Sequence, residues 1–389
     1  MTADVRHGDC LAVLRDLPDN SIDSIVTDPP YGLTNTKPAQ VADVLAAWIT
    51  GDTEAVPTAK GGFMGKDWDS FVPPPAVWQQ CLRVLKPGGH MLVFAGARTQ
   101  DLMGLSIRLA GFEIRDTLGW IYGSGFPKSH DIGKAIDKAA GTERAARWDG
   151  WGTALKPAIE PIILARKPLD GTVANNVLAH GVGGLNIDAS RVPGAKPDTT
   201  RGASVNASSM AGPLGGQGRI TDDGKGRFPA NVLLDEHAAE EMDEQSGERP
   251  GGAFPEKQTT QPGEPSGSMN GGWSNTLSPA RKMGDSGGAS RFFPVFKYQA
   301  KAPKRERPVI TREDGTKVQH PTVKPLALME WLVTLTTPPG GTVLDPFAGS
   351  GTTLQAARDK GLHAIGIEQD ADYIRLIETR LAATEEGLF

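Results

Sequence analysis

Apolar residues along this chain fall into short β-branched runs separated by amphipathic stretches, the alternation expected of an α/β domain. The run Ile22-Asp23-Ser24-Ile25-Val26-Thr27 predicts a strand over 21–27, after an opening strand and a helix at 11–15. Further strands are predicted at 89–95, after the turn Lys86-Pro87-Gly88-Gly89, at 112–122 and at Ile159–Arg166. Helical spacing marks 74–84, 100–110 and Ile132–Ala140. Towards the C-terminus the pattern gives a helix at 325–336, a strand from Thr342, a helix at 354–360 and a strand over His363–Glu368. Residues 36–72 make a long connection with a short helical pattern at 43–49; loops of this length inside a domain are usually functional or mobile, and this one is expected to act as a lid or a DNA-contact loop.

At 389 residues the chain is long for one domain and short for three, so a core with one large insertion is expected. The 48 glycines and 30 prolines place that insertion, because they concentrate in 190–290 without a period of either kind. No run approaches the ~18–20 apolar residues of a membrane span and no signal pattern opens the chain, so a cytoplasmic protein is expected. Two cysteines, Cys10 and Cys81, are too few for a disulfide framework or a zinc cluster, and no metal is expected.

Two motifs carry chemistry. Asp28-Pro29-Pro30-Tyr31 follows the first apolar run. Asp-Pro and Pro-Pro are ordinary turn punctuation, but this loop also offers a carboxylate, an exposed backbone carbonyl and a flat ring at one point. Near the other end, Thr342-Val343-Leu344-Asp345-Pro346-Phe347-Ala348-Gly349-Ser350-Gly351-Thr352-Thr353 is a strand running into a glycine loop and a helix. It lacks the lysine of a phosphate loop, and the third glycine of a dinucleotide fingerprint would fall on Leu354. A nucleotide cofactor without a pyrophosphate fits better. Glu368 closes the next strand about 17 residues past Gly351, near the ~20 at which such folds place an acid for ribose hydroxyls.

Taken together, these residues resemble the β group of DNA amino-methyltransferases. The order supports the likeness: the catalytic-type loop comes first and the glycine loop near the end, so the remaining strands must come from upstream. Gly8-Asp9-Cys10 and His320-Pro321-Thr322-Val323-Lys324-Pro325 recur in that group as well. The resemblance covers roughly residues 5–35, 80–190 and 290–380. It extends to phage and prophage members in Gly123 to Ser129 and in Glu160-Pro161-Ile162. It implies a circularly permuted Rossmann-like, S-adenosylmethionine-dependent core with residues 1–167 as catalytic half, 168–295 as a loop-rich target-recognition insertion and 296–389 as cofactor half.

The resemblance also implies roles. Asp28 and the Pro29 carbonyl would accept the two hydrogens of an exocyclic amine, with Pro30 and Tyr31 completing the loop and Tyr31 stacking on a base flipped out of double-stranded DNA. Asp345 would meet the methionine ammonium, Phe347, Gly349 and Gly351 would shape the cofactor site, and Glu368 would hold the ribose. Asp9 would reach the adenine amino group with Cys10 beside it, unless Asp9 is a strand-end turn residue. Lys324 would approach the methionine carboxylate and His320 would cap its loop. Trp120 and Tyr122 are candidates for the pocket wall or the core.

A net charge of −5 argues against a protein that coats DNA, so binding must rely on local patches. Lys297, Lys301, Lys304, Arg305 and Arg307 form the clearest, either a solvated loop or a phosphate-binding rim. Neither cysteine follows a proline, which counts against carbon-5 cytosine methylation. Asp rather than Ser at position 28 favours adenine over the exocyclic amine of cytosine. RNA or protein amino-methyltransferases and a non-enzymatic nucleotide-binding module are the other readings; a homodimer and a cognate restriction enzyme stay open.

Overall fold

The computed structural model describes residues 2–34, 36–57, 69–123, 125, 129–194, 225–250, 286–296 and 306–385, with the backbone of short strands at 199–200, 219–220, 253–254, 257–262, 273–278 and 281–282. It is an α/β fold divided into two compact units. The first comprises Met1–Ser190, Asn231–Ala238 and Val295–Phe389, and the second Arg191–Ala230 and Ala239–Pro294. The expected insertion thus gives residues 168–190, 231–238 and 295 to the first unit.

A nine-stranded mixed sheet organises the first unit. In chain order its strands are β1 (Ala3–His7), β2 (Ile22–Thr27), β3 (Leu85–Phe94), β4 (Glu113–Ile121), β5 (Ile159–Arg166), β6 (Val232–Asp235), β7 (Val295–Phe296), β8 (Thr342–Asp345) and β9 (His363–Glu368). In space they run β1-β9-β8-β2-β3-β5-β4-β6-β7. The pairs from β1 through β3 are all parallel, while β5 lies antiparallel between β3 and β4. The strand that carries the glycine loop is eighth along the chain yet lies beside β2. This is the permuted order that the motifs imply.

Helices cover both faces, which is why the central strands read as continuous apolar runs rather than alternating ones. Side chains on a strand point to opposite faces in turn. In β2, Ile25 joins one core layer and Val26 the other; Met91 and Val93 of β3 face the first layer, Leu92 and Phe94 the second. The first layer is closed by the helices Cys10–Arg15, Pro75–Val84 and Gln100–Leu109, through Leu14, Trp78 and Met103 among others. The second is closed by Leu326–Thr336 and Thr352–Asp359, through Leu328, Leu332, Leu354 and Ala357. Trp120 belongs to this second core, fully enclosed with its ring 5.9 Å from that of Phe296. Burial of such a side chain is worth roughly 1.5–3 kcal/mol, and no face of it is left for a base.

Strand β3 begins at Leu85, ahead of the turn expected at 86–89. Its pairing with β2 shifts register between Ile22 and Ser24, and Gly88 takes a φ of +78° while its N–H donates to Lys167 and Pro168 carbonyls. The expected turn is a kink that the strand runs through.

In the second unit, order comes from short antiparallel pairs, among them Lys257–Pro262 with Trp273–Ser278. The Asp243 carboxylate accepts from the Ser290 N–H at 2.8 Å and its hydroxyl at 2.6 Å, and the Arg291 and Arg227 guanidinium groups lie 4.3 and 5.0 Å from the Phe292 ring centre.

Candidate active site

Four adjacent parallel strands end at one edge of the sheet, and each brings an acid there. β1 leads into Asp9, β9 ends in Glu368, β8 ends in Asp345 and β2 runs into Asp28. Open α/β sheets bind ligands at this carboxyl edge. The start of the antiparallel strand β5 reaches the same edge and adds Glu160, which pairs with Trp120 across the sheet.

Asp345 is buried. Its Oδ1 accepts from the Thr27 hydroxyl at 2.7 Å and from the Phe347 N–H at 3.1 Å. Burial pushes its carboxyl up to about 6, against the pull of these donors and of the Thr353 hydroxyl. The loop that follows needs its glycines: Gly349 and Gly351 have φ of +54° and +78°, and a Cβ on Gly351 would lie 2.9 Å from Ile377 Cγ2. Glu368 is tied to this loop, Oε2 accepting from the Gly349 N–H at 2.9 Å and Oε1 from the Asp370 N–H at 2.8 Å. Burial pushes Glu368 up to about 7 despite both donors.

Asp9 caps the helix Cys10–Arg15, its Oδ1 accepting from the Ala12 N–H at 3.0 Å. Burial, with Asp9 next to it, pushes the Cys10 thiol up to about 12, which keeps it a neutral thiol rather than a nucleophile. Phe347 packs its ring 6.2 Å from Trp78, and His320 stacks edge-on against Tyr373 at 4.7 Å with its Nδ1 on the Thr322 carbonyl. The His320 ring also covers Gly349, where a Cβ would come within 3.0 Å of Nε2.

The Asp28 side of the edge is built differently. Both oxygens of Asp28 are engaged by side chains: Oδ1 accepts from the Tyr31 hydroxyl at 2.7 Å and Oδ2 from the Lys324 ammonium at 2.6 Å. Lys324 Nζ also lies 3.2 Å from the Tyr31 oxygen, 3.3 Å from Glu160 Oε2 and 4.9 Å from the centre of the Phe94 ring. Burial alone would lower the lysine pKa, but the charges of Asp28 and Glu160 outweigh it and hold the ammonium above its ordinary value. Tyr31 is held neutral, its pKa raised first by burial and then by the same two carboxylates. The backbone of the loop is braced as well: Asp69 accepts from the Gly32 N–H at 2.9 Å and the Thr99 hydroxyl donates to the Tyr31 carbonyl at 2.6 Å.

A family profile described as DNA methylase, of the N6/N4 type, matches residues 22–379, nearly the whole of this arrangement. The chain belongs to this family. Type II methyltransferase M.HindIII of Haemophilus influenzae is 23% identical over 405 residues, covering 99% of this chain and 97% of that protein. Type II methyltransferase M.ScaI of Streptomyces caespitosus is 38% identical over 78 residues, 20% of this chain and 26% of its own length. Among solved structures, the M1.HpyAVI–SAM complex is 15% identical with a TM-score of 0.41, covering 98% of this chain and 99% of its own. The cytosine-N4-specific PvuII DNA methyltransferase is likewise 15% identical, with a TM-score of 0.46 and coverage of 98% and 86%.

In this DNA methylase the residues singled out in the sequence fall into three groups. Asp28 to Tyr31, Asp9, Cys10, Lys324, Asp345, Phe347, Gly349, Gly351 and Glu368 all belong to the one unit that holds the sheet edge. Lys324, expected at a methionine carboxylate, has its ammonium on Asp28, and Glu368, expected on ribose, has both oxygens on backbone N–H groups. Lys297, Lys301, Lys304 and Arg305 lie outside the described residues, as do 58–68 of the expected lid. Arg307 is half-buried, and its Nε has no hydrogen-bond partner among the described residues. Reading the sequence missed Glu160 and Asp69 as site residues. Asp69 lies in a long connection, and Glu160 was noted only within Glu160-Pro161-Ile162 as part of the resemblance; the antiparallel course of β5 brings it to this edge.

Proposed function

We propose that this DNA methylase transfers a methyl group from S-adenosylmethionine to the exocyclic amine of an adenine flipped out of double-stranded DNA. The observation that carries the reading is the position of Asp28 on the strand next to the one ending in Asp345, so that an amine acceptor and a nucleotide loop share one edge. The residues there suit the cofactor. Buried Asp345 and the glycine loop fit an ammonium-bearing amino acid, and Glu368 lies one strand further on for ribose hydroxyls, each of its oxygens keeping a lone pair beside the backbone N–H it accepts. S-adenosylmethionine supplies an electrophilic methyl carbon on a sulfonium.

An exocyclic amine is a poor nucleophile because its lone pair is delocalised into the ring. Asp28 and the Pro29 carbonyl accept its two hydrogens, which draws the nitrogen towards tetrahedral geometry, and the proton released on methylation passes to Asp28. Alignment and acceptors fixed in advance supply most of the rate. The Tyr31 ring supports the base, at roughly 1–3 kcal/mol for such stacking, and offsets part of the cost of flipping. Adenine is preferred over cytosine because the loop opens with Asp rather than Ser. The type II relatives suggest a restriction-modification setting, with the second unit choosing the sequence and residues 297–307 contacting phosphates.

Sequencing the modified bases of DNA from cells expressing the protein tests this. N6-methyladenine at one short motif, absent with Asp28→Ala, is the expected result. N4-methylcytosine at a motif would replace the adenine assignment, and unmodified DNA from cells making folded protein would remove the reading altogether.

A further inference from the structure

Each oxygen of the Asp28 carboxylate already accepts a hydrogen bond from a side chain in this structure. Asp28 Oδ1 is taken by the Tyr31 hydroxyl and Oδ2 by the Lys324 ammonium, yet under the reading above Asp28 must accept an N–H of the target base. A second lone pair remains on each oxygen, but an ammonium at 2.6 Å competes with the amine for Oδ2 and draws off its charge, so moving that ammonium makes Asp28 the better acceptor, and the ammonium must then not be stranded in a largely enclosed site. An ammonium left without an acceptor there would cost several kcal/mol.

Glu160 stands where that partner needs it. Its Oε2 is 3.3 Å from Lys324 Nζ and 3.4 Å from the Tyr31 oxygen, and the three charged side chains are between 12% and 27% exposed. We propose that Glu160 is a positioning residue of methyl transfer, the second acceptor onto which Lys324 moves so that Asp28 Oδ2 is freed for the amine. The inference rests on the proposed function and names what that reading leaves open. With Asp28 and Glu160 ionised, Lys324 protonated and Tyr31 neutral, the group carries one net negative charge before and after the exchange. That charge faces an amine nitrogen that becomes positive as it attacks the methyl carbon. The C–S bond breaks as the N–C bond forms, and the surplus proton of the nitrogen goes to Asp28. Asp69, Asp345 and His320 are the other titratable groups that feel Asp28. None of them makes a hydrogen bond to the Lys324 ammonium, so none replaces Glu160.

Steady-state kinetics of Glu160→Gln, Lys324→Met and the double variant test the idea, with Asp28→Ala as control. In Glu160→Gln the ammonium has Asp28 as its one charged partner and stays there, so kcat should fall by about ten-fold or more while KM for the cofactor and the melting temperature hold. In Lys324→Met two carboxylates share the site without a cation, so the acidic limb of the kcat–pH profile should move up by about one unit or more. Adding Glu160→Gln to Lys324→Met removes the repulsion and should return the limb towards wild type. If Glu160→Gln does not fold, Glu160→Asp withdraws the carboxylate by one methylene and should lower kcat in the same way. A wild-type kcat in folded Glu160 variants, or an acidic limb equal in Lys324→Met and the double variant, would overturn the inference. An active Asp28→Ala protein would instead overturn the function on which it rests.

Discussion

The two sides of the catalytic edge hold their carboxylates by different means. On one side, Asp345 and Glu368 are fixed largely by backbone N–H groups and short hydroxyls of the glycine loop, the following turn and the neighbouring strand. On the other, Asp28 is held by the ends of two long side chains, Tyr31 and Lys324, which can rotate away. Backbone partners preorganise a site that must recognise the same ligand in every turnover. Side-chain partners make a site whose bonds can be exchanged as substrate arrives.

Asp28→Ala should break the contrast most sharply. It removes the exchangeable acceptor and leaves the fixed ones, so methylation should fall by at least about 10²–10⁴-fold, while calorimetry should find cofactor affinity unchanged. Near wild-type turnover would mean that Asp28 does not touch the amine. Glu368→Ala attacks the fixed side. Loss of a charged acceptor is worth roughly 1.5–3 kcal/mol, so S-adenosylmethionine should bind about ten- to a hundred-fold more weakly, with DNA affinity intact; equal cofactor affinity would place the ribose elsewhere.

A smaller effect follows from protonation. Burial raises Glu368 from 4.5 to about 7 and Asp345 from 3.8 to about 6, so the folded protein keeps these protons to higher pH than the unfolded chain does. The stability they contribute is complete below pH 3.8 and is lost as pH rises through about 6 and about 7. The melting temperature of ligand-free wild type should therefore decline relative to that of Glu368→Gln as pH is raised from 4.5 to above about 7. A constant difference between the two would show that folding leaves the proton affinity of Glu368 unchanged. The smallest effect is expected from the basic stretch 297–307. If Lys301, Lys304 and Arg305 each neutralise one phosphate, replacing all three with Ala should flatten the slope of log affinity against log salt by roughly 0.9 per contact, about 2.7 in all. A slope equal to wild type would mean that they face solvent.

The sheet was legible wherever a strand was long or bounded by glycine and proline, as at β2, β5 and β9. Short strands inside the glycine-rich region were not. Val232–Asp235 is four residues long and Val295–Phe296 two, too short for any period to show, and their place in the sheet depends on partners far away in sequence. In the site, the residues found were those whose backbone chemistry marks them, such as the prolines after Asp28 and the glycines after Asp345. Glu160 also has a proline after it, but what brings it into the cluster is Lys324, a partner 164 positions away. Helix capping by Asp9 was visible as a turn residue, whereas the double backbone grip on Glu368 needed coordinates.

The position of β8 between β2 and β9 has a consequence for synthesis of the protein. Asp28 meets Lys324 across 296 residues and Thr27 meets Asp345 across 318, so at roughly 5–20 residues per second the ribosome delivers these partners tens of seconds apart. Until β8 emerges, Ile22–Thr27 has an unpaired edge on the side it will occupy, along a strand that is wholly buried in the finished sheet. Such an edge invites pairing with another nascent chain. Yield of folded enzyme should therefore respond to chaperone supply and translation rate more than to any change at the catalytic residues.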